Sequence, residues 1–389
     1  MSLYDRKKDC CGCEACMNAC PKDVIRMKSD EEGFIYPVIE NPEKCIHCNM
    51  CRNVCPVKQC GTCENHREDA FAGFLTDEGE LKKSASGGLA YAMAKEVVLD
   101  GGVVYGCRYS NNYENAVFDK AETIAELEKF RTSKYIQAEK GKIYDDVKNS
   151  LKNGKKVLFI GLPCECNALK LFLGREWELL YVCSLICHGP TSRKVHKEYC
   201  RGLSRYGRLV GFSVRYKKDG WKPYYIKAEF DNGETKIEQF SESTYGTAFQ
   251  FMKRPACNSC KIKRMKINSD LTIGDYHVAY GGKVKPYNFY GVSSAIVHTN
   301  KGRELLDGLQ EFFIEPVELS SALYSGAYIH AIKAKANRKE FAMVFSRDGL
   351  DAACNLPSVK LIENTEILHD KFMLIGSKIK QALLNTMRR

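Results

Sequence analysis

The stretch CCGCEACMNACP at residues 10–21 sets cysteines and a proline at the spacing C-x2-C-x2-C-x3-C-P, and CIHCNMCRNVCP at residues 45–56 repeats it. In this pattern the first three thiolates of a run wrap one [4Fe-4S] cluster, and the Cys-Pro step carries the fourth thiolate to the other cluster. Zinc, the main alternative, is satisfied by four thiolates, usually as two separated C-x2-C pairs. The spacing therefore predicts two [4Fe-4S] clusters.

The ligation rule divides the eight cysteines between the two clusters. The first predicted set is Cys10, Cys13, Cys16 and Cys55. The second predicted set is Cys45, Cys48, Cys51 and Cys20. Cys11 stands beside Cys10 but out of register, so we interpret it as a neighbouring thiol. Cys60 and Cys63 form a further C-x2-C without a matching pair, and the sequence assigns them no role.

Length and composition indicate a globular protein of two or three domains. The chain has 389 residues, of which 44% are hydrophobic and 28% charged. It has no apolar stretch near the roughly 20 residues needed to cross a membrane, and its start lacks the apolar core of a signal peptide. Twenty cysteines in such a chain favour metal or redox use in a reducing cytoplasm. The net charge of +11 would be partly offset by anionic clusters, and no aromatic–basic motif predicts nucleic-acid binding.

The pattern along the chain predicts an α/β protein with an α+β unit in front. We expect a ferredoxin-like domain at residues 1–60, with a β-hairpin between its cysteine runs around Asp30-Glu31-Glu32-Gly33. A linker at 61–70 would lead to a mixed α/β domain at 71–340, followed by a C-terminal extension at 341–389.

Within the larger domain, alternating strands and helices predict a mostly parallel sheet flanked by helices. Strands are expected at 71–75, 102–109, 157–160, 179–183, 271–276 and 291–299. Helices are expected from residue 89 to the glycines at 101–102, and at 121–130, 142–152 and 302–313. Residues 209–240 alternate between turn signals and predict an inserted β-meander.

More cysteines follow the predicted strands. Cys164, Cys166, Cys183 and Cys187 lie at or just beyond strand ends, and Cys257 and Cys260 form another C-x2-C. Because ligands bind at the carboxyl edge of an open α/β sheet, some of these thiols can converge there. A third iron–sulfur cluster, a zinc site and buried structural thiols all stay open on this reasoning alone.

Four segments together resemble the coenzyme F-420 hydrogenase/dehydrogenase beta-subunit family. They are GLPCECNALK (161–170), SLICHGPTS (184–192), CNSC (257–260) followed by DLTIGDY (270–276), and GVSSAIVHTNKG (291–302). The resemblance covers about residues 1–340, since some members carry an N-terminal two-cluster segment. It implies an iron–sulfur flavoprotein that binds FAD and a third [4Fe-4S] cluster. The ligands it implies for this cluster are Cys164, Cys187, Cys257 and Cys260.

A flavin diphosphate would suit a helix N-terminus with small residues. Ser86, Gly87 and Gly88 offer such a terminus, and Ser133, Lys134 and Tyr135 add a hydroxyl, a cation and an aromatic ring. Gly161 at a strand end would let the backbone approach a ligand closely. Taken alone, each motif is equally well a plain loop, and the chain has no G-x-G-x-x-G fingerprint for NAD.

Two histidines adjoin these motifs. Family members commonly read G-D-[FY]-W-G where this chain has GDYHV (274–278), so His277 replaces a tryptophan. We interpret His277 as a catalytic proton donor, and His188 as a hydrogen-bond donor that tunes a cluster sulfur. The alternative for both is a structural histidine, which is the more common role of such residues. The replacement predicts poor reactivity with F-420 itself.

The sequence thus predicts a cytoplasmic FAD-dependent iron–sulfur oxidoreductase with three [4Fe-4S] clusters. It would exchange hydride with a small-molecule donor or acceptor, and exchange single electrons with an external ferredoxin or a partner redox subunit. The alternative is an electron-transfer subunit of a larger complex with no substrate of its own.

Overall fold

The computed structural model describes residues 3–63, 67–280 and 282–362. At its N-terminal end, strands β1 (Ile25–Ser29) and β2 (Ile35–Ile39) pair antiparallel, with Ile25 opposite Ile39. The predicted β-hairpin is therefore confirmed. Each cysteine run ends in a single helical turn, α1 (Ala15–Asn18) in the first run and α2 (Met50–Asn53) in the second.

The two cysteine runs share one backbone conformation. Gly12 and His47, each just before the second cysteine of its run, have φ of 70° and 53°. Glu14 and Asn49, each just after that cysteine, have φ of 65° and 61°. This left-handed conformation is uncommon outside glycine, so its recurrence at matching positions shows that both loops curl in the same way around their thiols.

The remaining strands form an eight-stranded sheet and a three-stranded sheet. In chain order they are β3 (Asp69–Leu75), β4 (Val103–Tyr109), β5 (Ala116–Ala121), β6 (Val157–Gly161), β7 (Leu180–Leu185), β8 (Leu209–Tyr216), β9 (Tyr225–Phe230), β10 (Thr235–Gln239), β11 (Leu271–Asp275), β12 (Ser293–Val297) and β13 (Phe312–Pro316).

The further helices flank these sheets or close the chain. They are α3 (Glu78–Lys82), α4 (Leu89–Leu99), α5 (Ile124–Leu127), α6 (Ile143–Lys152), α7 (Pro163–Leu173), α8 (Arg193–Leu203), α9 (Thr244–Phe251), α10 (Asn300–Asp307), α11 (Leu319–Ala322), α12 (Arg338–Asp348) and α13 (Leu350–Cys354). None of the helices in the described ranges is both long and apolar enough to span a bilayer.

The large sheet has the order β13-β3-β12-β11-β7-β6-β4-β5. Its four central strands β11, β7, β6 and β4 are mutually parallel, whereas β12, β3, β13 and β5 pair antiparallel with their neighbours. The sheet is therefore mixed, less parallel than the sequence predicts. Strands β8, β9 and β10 form the separate antiparallel sheet, which confirms the inserted meander.

Both faces of the central strands are buried, as expected for parallel strands covered by helices. In β6, Val157 and Phe159 face one core, while Leu158 between them faces the other. The first core also contains Phe34 and Tyr36 of the β1–β2 hairpin. The ferredoxin-like unit thus shares a hydrophobic core with the sheet domain.

Three predictions of secondary structure need correction or extension. The helix expected at 302–313 ends at Asp307, because Gly308 follows and the aromatic run from Phe312 forms edge strand β13. Strand β5 has no counterpart among the predicted strands. From residue 341 the chain completes α12 and then forms α13. Phe341 and Phe345 of α12 and Leu350 of α13 pack in the first core. The basic stretch 378–389 lies outside the described residues.

His196 on α8 should make the fold sensitive to acid. The ring is fully buried, with Nε2 2.6 Å from the Tyr113 carbonyl oxygen. Burial lowers the pKa of His196 to about 4, whereas the unfolded chain binds the proton near pH 6.5. Stability should therefore be complete above about pH 6.5 and fall by up to about 3 kcal/mol as the pH drops to 4. Urea unfolding of His196→Gln should show a shallower loss over this window, and His330→Gln, at an exposed histidine, should keep the original slope.

Candidate functional site

The first predicted cysteine set is gathered at the junction between the two units. The Cys16 thiol lies within electrostatic reach of Cys10 and Cys55, and Cys13 lies within reach of Cys16. The Tyr144 hydroxyl donates to the Cys13 carbonyl oxygen at 2.8 Å, which fixes the loop against α6. The structure thus places the fourth cysteine of the second run beside three cysteines of the first.

A buried guanidinium sits against this first set. Arg254 is fully buried and donates to the carbonyl oxygens of Cys10 at 2.7 Å and Ile35 at 2.9 Å. It also lies 3.5 Å from the Cys10 sulfur. In the described part of the chain no carboxylate pairs with Arg254, and the groups that raise its pKa are Cys10, Tyr36, Cys11 and Cys257. Since a buried charge requires compensation, this site fits an anionic group carried by thiolates.

The second predicted set lines one cavity. Cys20, Cys45, Cys48 and Cys51 all border this cavity. Apolar side chains from the hairpin, among them Val24 and Ile39, border it as well. The donor set and its apolar surroundings fit an iron–sulfur cluster. Cys51 is also within electrostatic reach of Cys16, so the second set adjoins the first.

The third set lines another cavity, at the carboxyl edge of the large sheet. Its thiols are Cys164, Cys187, Cys257 and Cys260. The neighbouring strands β6 and β7 deliver Cys164 and Cys187, and a turn at Cys257–Ser259 delivers the other two. A side chain at Gly189 would stand 2.7 Å from Cys257 Cβ, so glycine is needed there, and its N–H donates to the Cys187 sulfur at 3.3 Å.

The charges around this cavity also fit an anionic group. Lys8, Lys140, Lys261 and Lys263 line it, against the single carboxylate of Glu165, which pairs with Lys140 at 2.7 Å. In the three described ranges, no His, Cys, Asp or Glu side chains converge in threes as ligands of one metal ion. Four thiols bordering one cavity are a donor set that fits an iron–sulfur cluster.

Cys11 joins the first and third sets. Its thiol lines the third cavity and lies in hydrogen-bonding contact with both Cys13 and Cys164. The sequence identifies it only as a neighbouring thiol, because its place out of register gives no hint of a partner 153 positions away in the chain.

A separate polar site lies at the end of β11, the strand that pairs with β7. Asp275 is held by Arg215 of β8 at 3.0 Å and accepts from the Tyr224 hydroxyl at 3.0 Å. Burial alone would raise the pKa of Asp275, but Arg215 and His277 outweigh this effect and hold it below its usual value. Arg215 also donates to the Tyr135 hydroxyl at 3.1 Å and to the Ala85 carbonyl oxygen at 2.7 Å.

This Asp275 site carries more positive than negative groups. Lys217 and Lys222 lie near Arg215 and Asp275, and burial lowers the pKa of both, that of Lys217 to about 7. At this site two buried donors, Arg215 Nε and Trp221 Nε1, have no hydrogen-bond partner within the described residues. Unpaired buried donors beside surplus cations fit a polar, anionic ligand.

His277 lies at this site. Its ring stacks on the Trp221 indole with 6.0 Å between centroids, and Nδ1 is 3.3 Å from Lys222 Nζ. Burial lowers the pKa of His277, and Asp275 opposes that effect. An indole is therefore present beside His277, supplied by the loop between β8 and β9. His188 lines the third cavity within electrostatic reach of His277 and Asp275, so the two sites are adjacent.

The predicted flavin residues are only partly brought together. Ser86 and Tyr135 meet the Asp275 site through Asp275 and Arg215. A side chain at Gly87 would stand 2.3 Å from the Gly73 oxygen, and one at Gly88 would stand 2.3 Å from Leu75. These glycines thus permit close packing on the sheet.

The other three residues lie elsewhere. The Lys134 ammonium donates to the carbonyl oxygens of Lys129, Arg131 and Thr132 in its own loop, where Ser133 is half-buried. Gly161 ends β6, where a side chain would stand 2.8 Å from the Phe159 ring and 3.3 Å from the Glu165 carboxylate.

Some residues of these sites are absent from the sequence-based prediction although the sequence carries a signal for them. Trp221 and Tyr224 lie in the basic–aromatic run KKDGWKPYY (217–225), and Trp221 is one of two tryptophans in the chain. Arg254 stands three residues before Cys257. What the sequence does not show is that the meander folds back over the end of β11.

Comparison with known proteins gives two family matches. Residues 9–59 match the 4Fe-4S dicluster domain, and residues 154–319 match the C terminus of the beta subunit in the coenzyme F420 hydrogenase/dehydrogenase family. A chain of the F420-reducing [NiFe] hydrogenase complex from Methanosarcina barkeri aligns at a TM-score of 0.45 and 15% identity. That alignment covers 75% of this chain and 92% of that chain, and at this level it carries no functional argument. No curated protein matches.

The first match contains all eight cysteines of the N-terminal runs, and the second contains the third set, Asp275 and His277. The resemblance found in the sequence is thereby confirmed. The chain therefore joins a segment similar to the 4Fe-4S dicluster domain to a segment similar to the C terminus of the coenzyme F420 hydrogenase/dehydrogenase beta subunit.

Proposed function

We propose that this protein is an iron–sulfur flavoprotein oxidoreductase, with three [4Fe-4S] clusters leading to a flavin site at Asp275. The observation that carries the proposal is the order of the sites. Cys51 of the second set lies near Cys16 of the first, Cys11 lies between Cys13 of the first set and Cys164 of the third, and His188 adjoins the Asp275 site. Such a series suits the passage of single electrons between a surface and a buried site.

Each cluster would be held by four thiolates. The first would be held by Cys10, Cys13, Cys16 and Cys55. The second would be held by Cys45, Cys48, Cys51 and Cys20. The third would be held by Cys164, Cys187, Cys257 and Cys260. Arg254 offsets charge at the first, and the lysines lining the third cavity do the same there.

The residues that fit a flavin are those with unpaired donors and spare charge. Arg215 and Trp221 offer free N–H groups, while Lys222 supplies charge for a diphosphate. When bound, a flavin exchanges hydride with a substrate and single electrons with metal clusters. Lys222 and His277 can hold a proton at Nδ1 beside that substrate, and Asp275 keeps Arg215 in place.

The proposal is tested by cofactor analysis of the full chain purified without oxygen. Extracted flavin should be FAD at about one per chain, and titration with dithionite should consume about three electrons for clusters and about two for flavin. Absence of flavin, with cluster electrons alone, would favour the alternative of an electron-transfer subunit without its own substrate. That alternative fits the name of the matched family comparably well.

His277→Phe should separate the two halves of the reaction. Phenylalanine keeps a ring against Trp221 but loses the nitrogen that contacts Lys222. We expect flavin reduction by a hydride donor to slow by about 10²-fold or more, because a positioned proton donor contributes that much. Reduction of the clusters by dithionite should not change. Stopped-flow absorbance measures both, with Tyr280→Phe as the control, and equal slowing of both reactions would contradict the assignment.

The same stopped-flow measurement tests which hydride donor reduces the flavin. Because His277 and Lys222 make the pocket polar even with Trp221 present, we expect reduced F-420 to reduce the flavin slowly. Reduced ferredoxin or dithionite should reduce it readily through the clusters. Rapid, stoichiometric bleaching of the flavin by reduced F-420 would return the protein to the F-420 users.

A further inference from the structure

One cysteine motif has no place in the three sets. Cys60 and Cys63 lie in the sequence CGTC at residues 60–63, the one C-x2-C outside the twelve proposed ligands. Both thiols are half-exposed, whereas Cys166, Cys183 and Cys200 are buried. Two half-exposed thiols at this spacing can be reached by a small disulfide and can close a disulfide with each other.

The loop carrying this pair lies along the segment that follows Cys260. The Cys60 thiol donates to the Lys261 carbonyl oxygen at 3.4 Å, and the Cys63 thiol donates to the Ile267 carbonyl oxygen at 3.5 Å. The Cys63 N–H donates to the Met265 carbonyl oxygen at 2.7 Å. Two of these three bonds therefore need a protonated thiol.

The two thiols lie near each other, and Cys60 also lies near the third set. Cys63 is within electrostatic reach of Cys60, and Cys60 is within reach of Cys260. Cys60 packs in the same apolar cluster as Cys164 and Cys260. Burial raises the pKa of both thiols, which agrees with their role as S–H donors.

We propose that Cys60 and Cys63 form a reversible dithiol–disulfide pair that exchanges with small-molecule disulfides beside the third cysteine set. In the exchange, the two thiols and one disulfide R–S–S–R give the Cys60–Cys63 disulfide and two R–SH. The pair loses two electrons, the small disulfide gains them, and both protons pass to the R–SH products. The inference goes beyond the proposed function and does not depend on it.

Oxidation has a structural consequence at the third set. A Cys60–Cys63 disulfide has no S–H group, so the bonds to Lys261 and Ile267 are lost and the backbone bond to Met265 is the one of the three that remains. The redox state of the pair therefore determines how firmly the segment after Cys260 is held.

The chain offers a clean measurement. Trypsin cuts after Lys58 and Arg67, and the peptide 59–67 contains these two cysteines and no other. The full chain, kept without oxygen, is equilibrated in mixtures of reduced and oxidised dithiothreitol, quenched with acid, denatured with iodoacetamide present, and digested. Mass spectrometry should show the doubly alkylated peptide in reducing mixtures and the internal disulfide in oxidising ones, joined by one two-electron transition.

Variants keep the test falsifiable. In Cys60→Ser the remaining Cys63 should be alkylated in every mixture, and the iron content should equal that of the unmodified chain. Thr62→Ala, which keeps both thiols, should retain the transition. Alkylation of both cysteines in all mixtures would overturn the proposal. Loss of about four irons in Cys60→Ser would also overturn it, by showing that the thiol is a cluster ligand.

Discussion

Replacing Arg254 by methionine is expected to remove the first cluster and to lower the free energy of unfolding by about 3–5 kcal/mol. The change deletes a buried cation that faces the Cys10 sulfur at 3.5 Å. It also leaves the carbonyl oxygens of Cys10 and Ile35 and the Gln137 side chain without their donor. Anionic thiolates would then be buried without compensation, so ligation at the first set should fail.

Arg338→Met is the matched control for this variant. Arg338 is also largely buried and also ties the hairpin to the sheet domain, through Glu32 at 2.6 Å, but it contacts none of the proposed ligands. Iron content and urea unfolding are measured for both. The control should lose stability and keep its iron. Full iron in Arg254→Met would contradict the role given to this guanidinium.

Asp275→Asn is expected to have the second large effect. The amide keeps the shape of the side chain but removes the buried carboxylate that pairs with Arg215 at 3.0 Å. Arg215, Lys217 and Lys222 are then left with uncompensated charge, and we expect a loss of about 3–5 kcal/mol together with loss of bound flavin. Iron at the two N-terminal sets should be unchanged, because the Asp275 site adjoins the third set and not these two.

Asp119→Asn provides the comparison for Asp275→Asn. Asp119 also pairs with an arginine and a lysine, Arg108 at 2.7 Å and Lys129 at 3.0 Å, but it lies on edge strand β5 with its side chain 32% exposed. The free energy of unfolding of Asp119→Asn should fall by about 1 kcal/mol or less, because exposed ion pairs contribute little. Equal effects in the two variants would show that the Asp275 network has no special importance.

The features that could be predicted from the sequence are those that depend on local spacing. The hairpin and the meander follow from motifs of a few residues, and the structure contains both. The cysteine sets also follow from local spacing, and the structure brings Cys55 near Cys16 of the first run. The strand ends also placed Cys164 and Cys187 on one edge. These inferences hold because ligand spacing and turn chemistry act within one short segment.

Features that depend on distant partners could not be predicted. Arg254 meets Cys10 across 244 positions, and Arg215 meets Asp275 across 60. Gly87 resembles part of a phosphate cradle in the sequence, but the glycine is needed because Gly73 and Ser293 pack against it. The helix expected at 302–313 extends too far because the apolar period continues past Gly308 into an edge strand.

The central claim is that three cysteine sets hold three clusters, and the iron and acid-labile sulfide content of the chain tests it most directly. Cys166→Ser is the control for Cys164→Ser, since Cys166 lies two positions away with its thiol turned to the Cys183 carbonyl oxygen. Purified without oxygen, the unmodified chain and Cys166→Ser should contain about twelve irons each, and Cys164→Ser about eight. About eight irons in all three proteins would contradict the third cluster and the electron path built on it.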